Sequence, residues 1–167
     1  NVKAQKQYYQ ASQEDYRGVM VTLASEVAST YIQLRTYQQQ WKITQANLIS
    51  QTKILRLNEI KAQAGLASQL TVAQSKSLLL ETEASLPGIE SSIHEQVTTL
   101  LTLLGEYNDT LRQELLQIRT LPSITGIQIK GIPAELIRQR PDIRSAEKNI
   151  EALAETVGAT RADWWPQ

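Results

Sequence analysis

The sequence predicts an all-α protein built on an elongated antiparallel helical hairpin. Apolar residues recur at every seventh position over two long segments, and residues 1 to 62 contain no proline. A helix over residues 5 to 62 would be about 87 Å long, whereas a compact domain of this size has a radius of gyration of about 15 Å. We therefore do not expect an ordinary globule.

The first helix is predicted over residues 5 to 62, which are rich in Gln, Ala, Leu, Lys and Glu. These residue types lose little entropy in a helix. Its sevenfold apolar stripe is Met20, Val27, Leu34, Trp41, Leu48, Leu55 and Ala62. A second apolar set lies off this stripe: Ile43, Ile54, Leu57 and Ile60. A helix with two partial apolar stripes is expected to contact two neighbouring helices, as in a tubular array.

The second helix is predicted over residues 69 to 104, after a chain reversal at Gly65. Gly65 suits the left-handed position that ends a helix, and Ser68 suits the N-cap of the next. The sevenfold stripe resumes as Val72, Leu79, Leu86, Ile93 and Leu100, with Ile89, Val97 and Leu104 between. Because the stripe keeps its phase across Pro87, we predict a kink there rather than a loop.

A third helix is predicted to start at Pro141, with Asp142 near its positive end and an apolar set of Ile143, Ala146, Ile150, Leu153, Val157, Thr160 and Trp164. Together the second and third helices would be about 89 Å long, close to the first. We therefore expect the third helix to pair with the amino-terminal part of the first.

The predicted organisation is a hairpin over residues 1–104, a small mixed insertion over 105–140 and the third helix over 141–167. Within the insertion we expect an amphipathic helix at 110–119, an extended stretch around Ile127 and Ile129, and a helical turn after Pro133.

Composition excludes several classes of function. The 17 basic and 17 acidic residues give no net charge, so a nucleic-acid partner is not expected. With no cysteine and one histidine, His94, there is little for a metal or catalytic centre, and we expect neither an enzyme nor a cofactor. His94 is interpreted as a solvated residue on a helix face. The many uncharged polar residues, 19 of them Gln, suit a wet lumen but also an ordinary helix surface.

Two groups near the end of the sequence have more than one interpretation. Arg138, Arg140, Asp142 and Arg144 form a dense charged segment, which we interpret as an ion network at a helix entry rather than a phosphate site. Trp164 and Trp165 would suit either a membrane interface or packing on a neighbouring helix.

A resemblance runs from end to end of the sequence. Its most specific parts are GIPAELIRQRPDIRSAE at 131–147 and VGATRADWWP at 157–166, with LASEVASTYIQL at 23–34 and AGLAS at 64–68. These segments resemble the TolC-like outer-membrane efflux factors, and within them the NodT-type lipoprotein branch.

The resemblance implies a periplasmic segment of the first of two repeats. In this family a homotrimer forms a β-barrel in the outer membrane of Gram-negative bacteria and a long α-helical barrel through the periplasm. An equatorial domain interrupts one helix. The channel is the exit duct of a tripartite drug or metal efflux pump. It meets a periplasmic adaptor protein directly and the inner-membrane RND transporter indirectly.

The same resemblance implies a partner site at the hairpin tip, where the adaptor's helical hairpin docks. The matching residues are Ala64, Gly65, Leu66, Ala67 and Ser68. The resemblance also places Thr71 next to the gate, where some family members have an acidic residue in the ionic links that hold the tip closed; threonine cannot form such a link. The alternative to the whole assignment is a self-contained coiled-coil scaffold.

Overall fold

The computed structural model describes residues 2–122 and 134–162, and every regular element in these ranges is a helix. The helices are α1 (Val2–Gln63), α2 (Gln69–Leu104), α3 (Asp109–Leu116), α4 (Ala134–Arg138) and α5 (Pro141–Ala162). The all-α prediction is confirmed, and both long helices begin and end within three residues of their predicted bounds. The predicted extended stretch around Ile127 and Ile129 lies outside the described residues.

The chain divides into two compact units. One comprises residues 27–123, which include most of α1 together with α2 and α3. The other comprises residues 1–26 and 124–167, which include the start of α1 together with α4 and α5.

In the unit of residues 27–123, α1 and α2 form the predicted antiparallel hairpin. Near its turn, Asn58 Nδ2 donates a hydrogen bond of 2.7 Å to Ser75 Oγ. Farther from the turn, Trp41 Nε1 donates one of 3.0 Å to Glu90 Oε1. The stripe on α1 faces inward from Val27 to Ala62, and Leu34 at its centre is fully buried.

The core of this unit lies at the end of the hairpin away from the turn. Leu34, Val97, Leu100, Leu101 and Leu115 form one buried cluster, which joins α1, α2 and α3. Burial of each such side chain contributes about 1.5–3 kcal/mol. Leu104 was predicted on the inward stripe but is exposed, and Leu101 is buried instead. Leu104 is the last residue of α2, where the left-handed Gly105 turns the chain away.

Helix α2 is continuous through Pro87, so the prediction that this proline does not split the helix is confirmed. Proline removes one backbone hydrogen bond from a helix interior. Ile89 and Val97 are buried on the same helix after the proline, so the helix keeps its inward face.

In the unit of residues 1–26 and 124–167, α5 returns along the start of α1, as predicted. Arg144 Nη2 lies 3.0 Å from Glu14 Oε1, and a Cβ at Gly18 would lie 3.8 Å from Pro141 Cβ. Because later residues of α5 meet earlier residues of α1, the two helices are antiparallel.

The residues buried within this unit are not the ones that the apolar pattern predicts. On α1 they are Ala4, Ala11 and Glu14, and on α5 they are Ser145 and Ala152. Ile150, Leu153 and Val157 of the predicted α5 stripe are exposed, as is Met20 of the α1 stripe. Apart from Glu14, the buried side chains are small, and small side chains allow two helix backbones to approach closely.

Candidate functional site

The hairpin tip, residues 64–68, is a compact turn fixed by backbone hydrogen bonds. The Gly65 N–H donates to the Ala62 carbonyl at 3.0 Å, and the Leu66 N–H donates to the Lys61 carbonyl at 2.7 Å. This pair of bonds is the Schellman arrangement that ends a helix. Gly65 has φ +74°, the left-handed conformation that was predicted from the sequence.

Ser68 begins α2 as the predicted N-cap. Its φ and ψ are −81° and 152°, and its Oγ accepts a hydrogen bond of 3.2 Å from the Thr71 N–H. The hydroxyls of Ser68 and Thr71 also lie 3.0 Å apart in hydrogen-bond contact. Thr71 is therefore engaged in the cap that fixes the tip, and it carries no charge that could join an ionic gate.

The tip offers apolar side chains to solvent at a position where the backbone is held. Leu66 is 79% exposed and Leu70, in the first turn of α2, is 66% exposed. Ala67 is half-buried, whereas Ala64, Gly65 and Ser68 are exposed. The turn holds no charged residue. An exposed leucine on a rigid, uncharged turn is a typical anchor for a protein partner.

Arg35 and Gln38, which sequence reasoning missed, hold α3 against the hairpin. Gln38 is fully buried and its Nε2 donates to the Leu115 carbonyl at 2.9 Å. Arg35 is 2% exposed, and its Nη1 donates to the Gln117 carbonyl at 2.7 Å and to Gln38 Oε1 at 2.6 Å. The guanidinium also lies 4.7 Å from the centre of the Tyr31 ring. These two side chains thus bind the carbonyls that end α3.

The charged segment at the start of α5 forms ion pairs, as predicted. Arg140 makes a two-bond contact with Asp142, with distances of 3.1 and 2.8 Å. The hydrogen bonds between the two side chains lower the pKa of Asp142 and raise the pKa of Arg140. Arg144 pairs with Glu14, whose Oε1 also lies 2.7 Å from Arg17 Nη1. Two of the three arginines in the segment, Arg140 and Arg144, are thus used in ion pairs.

His94 is exposed on α2, as predicted. It borders a shallow pocket of about 220 Å³ together with Trp41, Glu90 and Leu116. The Trp41 and Glu90 side chains bond to each other across the hairpin.

Within residues 2–122 and 134–162, no three His, Cys, Asp or Glu side chains are grouped so as to hold a metal ion. No helix in the same ranges is long and apolar enough to cross a membrane. Trp164 and Trp165, predicted at the membrane-proximal helix end, lie outside the described residues.

The chain thus consists of a two-helix hairpin, whose turn is short and uncharged, and a third helix that packs along the start of the first. Residues 1–106 match the family model described as outer membrane efflux protein. The chain belongs to this family, and the resemblance inferred from its motifs is confirmed.

Named relatives agree with the family assignment. The chain is 36% identical over 158 residues to the pyoverdine export outer membrane protein OpmQ of Pseudomonas aeruginosa, covering 94% of this chain and 33% of that protein. It is 32% identical over 146 residues to nodulation protein T of Rhizobium leguminosarum bv. viciae, covering 87% and 30%.

A solved structure of the outer-membrane channel OprN superposes on 98% of this chain and 36% of that chain, with a TM-score of 0.85 and 32% identity. The chain therefore spans about a third of the length of the relatives it matches.

Proposed function

We propose that this chain is the periplasmic helical part of an outer-membrane channel that serves as the exit duct of a tripartite efflux pump, for drug or metal export. The observation that carries the proposal is its similarity, over nearly its whole length, to outer-membrane export proteins such as OpmQ. The full-length protein would act as a homotrimer in the outer membrane of a Gram-negative bacterium. Its role is conduction rather than catalysis.

The proposed organisation assigns a task to each part of the chain. Residues 1–104 form the wall of the duct, residues 105–140 form the equatorial insertion, and residues 141–167 lead toward the outer membrane. The contacts of Arg35 and Gln38 with the end of α3 support a fixed position on the hairpin for α3, the first helix of the insertion. Trp164 and Trp165 would lie at the membrane-proximal end.

The adaptor protein of the pump would dock at the tip, residues 64–68, and the inner-membrane RND transporter would be linked to the channel only through it. The exposure of Leu66 and the fixed left-handed turn at Gly65 support this site. A fixed backbone loses little entropy on binding, and a leucine offers an apolar anchor.

The test is Leu66→Asp in the full-length protein. A carboxylate in place of the apolar anchor would be desolvated on docking, so we expect efflux to be abolished. Drug susceptibility of cells reports efflux, and native electrophoresis of the extracted protein reports whether trimers remain intact. Wild-type susceptibility with intact trimers would contradict docking at the tip.

A further inference from the structure

Charge is unevenly distributed along the hairpin. The chain as a whole is neutral, but between residues 53 and 76 there are four cations, Lys53, Arg56, Lys61 and Lys76, and one anion, Glu59. The following part of α2, residues 77–104, contains four glutamates and no lysine or arginine. The end of the hairpin that carries the tip is therefore basic, although residues 62–75 themselves are uncharged.

The four cations are free to act on a partner. Each is exposed, and within the part of the chain that the structure describes none of them forms an ion pair. Lys61 and Lys76 are nearest to the tip, about 6 and 12 Å along the helix axes from Gly65 and Ser68. Cation and tip are thus separated by about one Debye length at physiological salt.

Helix chemistry explains only one of these cations. Lys61 lies in the last turn of α1, where a positive charge favours the helix dipole. Lys53 and Arg56 precede that turn, and Lys76 is in the third turn of α2, where the dipole gives no such preference. The other three cations neither favour a helix end nor pair with a carboxylate, and they lie on either side of an exposed apolar turn. In this they resemble the polar rim of a protein interface.

We propose that the partner that docks on the tip carries acidic residues on its docking surface, and that Lys61 and Lys76 attract them. This inference rests on the proposed function and adds the charge of the adaptor's docking surface to it. Leu66 anchors the complex, whereas the two lysines speed its formation. Rim charges act mainly on the association rate and its salt dependence, while buried anchors act on dissociation.

The experiment measures the binding of the purified adaptor of the same pump to the immobilised full-length trimeric channel, at 50 and 300 mM NaCl. The variants are Lys61→Gln with Lys76→Gln, and the matched control is Lys3→Gln with Lys6→Gln. Lys3 and Lys6 are exposed lysines in the first two turns of α1. Leu66→Asn removes the anchor without adding charge and tests docking itself.

We expect the Lys61/Lys76 variant to associate about tenfold more slowly at 50 mM NaCl and nearly like the wild type at 300 mM. The Lys3/Lys6 control should match the wild type at both salt concentrations. Leu66→Asn should raise the dissociation rate and leave the salt dependence unchanged.

Two results would overturn the acidic rim while leaving tip docking in place. One is an unchanged association rate in the Lys61/Lys76 variant while Leu66→Asn weakens binding, and the other is faster association after the lysines are removed. Wild-type binding by all variants would overturn tip docking and the rim together. Retention of the channel on anionic lipid vesicles that requires both lysines, with unchanged adaptor association, would assign the lysines to a lipid surface instead.

Discussion

At Gly65 an added side chain would be disfavoured by the backbone conformation and not by clashes with neighbouring atoms. The residue has φ +74°, and no atom lies within 4 Å of the place where a Cβ would stand. Gly88, inside α2, has equally open surroundings but an ordinary helical φ. A comparison of substitutions at the two glycines therefore separates the cost of the backbone conformation from the cost of steric clashes.

Gly65→Ala is expected to destabilise the full-length channel by about 1–2 kcal/mol, because a left-handed L-residue carries that cost. Gly88→Ala is expected to stabilise it by about 0.8 kcal/mol through helix propensity. Thermal unfolding followed by circular dichroism gives both signs. A loss of stability in Gly88→Ala equal to that in Gly65→Ala would show that the effect is steric.

Arg35 and Gln38 illustrate what the sequence does not reveal at the scale of one residue. Gln38 lies four residues after Leu34 of the apolar stripe, where a polar side chain indicates exposure, yet it is fully buried. Its partner, the Leu115 carbonyl, is 77 residues away in sequence. Local periodicity cannot anticipate such a contact. By contrast, Gly65 and Ser68 were predictable because their roles depend only on neighbouring backbone groups.

Arg35→Ala should cost about 3 kcal/mol, since it leaves the Gln117 carbonyl and Gln38 Oε1 without their buried donor. Hydrogen exchange measured by mass spectrometry should show faster exchange in residues 109–116. Arg119→Ala is the matched control, because its bond to Glu114 is exposed and its loss should cost less than about 1 kcal/mol. Equal exchange in the two variants would contradict an anchoring role for Arg35.

At the scale of helices, the two units use different packing rules. In residues 27–123 large apolar side chains fill the space between α1 and α2, and the sevenfold stripe predicts the buried face. Between α5 and the start of α1 the buried residues other than Glu14 are small, and the apolar residues that periodicity predicted as the packed face of α5 are mostly exposed. A pattern based on hydrophobicity alone cannot distinguish a face reserved for another helix from the face packed within the chain.

Ala11, which is 3% exposed, tests the small-residue contact. Ala11→Leu adds three heavy atoms to a packed interface and should destabilise the full-length channel by about 1–3 kcal/mol. Ala11→Ser keeps the side chain small and should be close to the wild type. Thermal unfolding of both variants decides the matter, and an unaffected Ala11→Leu would mean that α1 and α5 do not pack closely there.

At the scale of the whole molecule, helix lengths and the apolar pattern predicted the hairpin, its turn and the returning helix. Helix periodicity and chain reversal depend on residues that are close together in sequence. The insertion was less predictable, since its attachment depends on Arg35, Gln38 and the carbonyls that end α3. The docking function of the tip came from the family resemblance. The exposure of Leu66 supports that proposal.

The most direct test of this account is photo-crosslinking in intact cells that express the pump. A photoreactive amino acid is placed at position 66 of the full-length channel, and the same residue is placed at exposed Ile118 beyond α3 as the control. The account predicts an adduct between channel and adaptor from position 66 and none from position 118. An adduct only from position 118, or none from position 66 in cells that still export, would contradict docking at the tip.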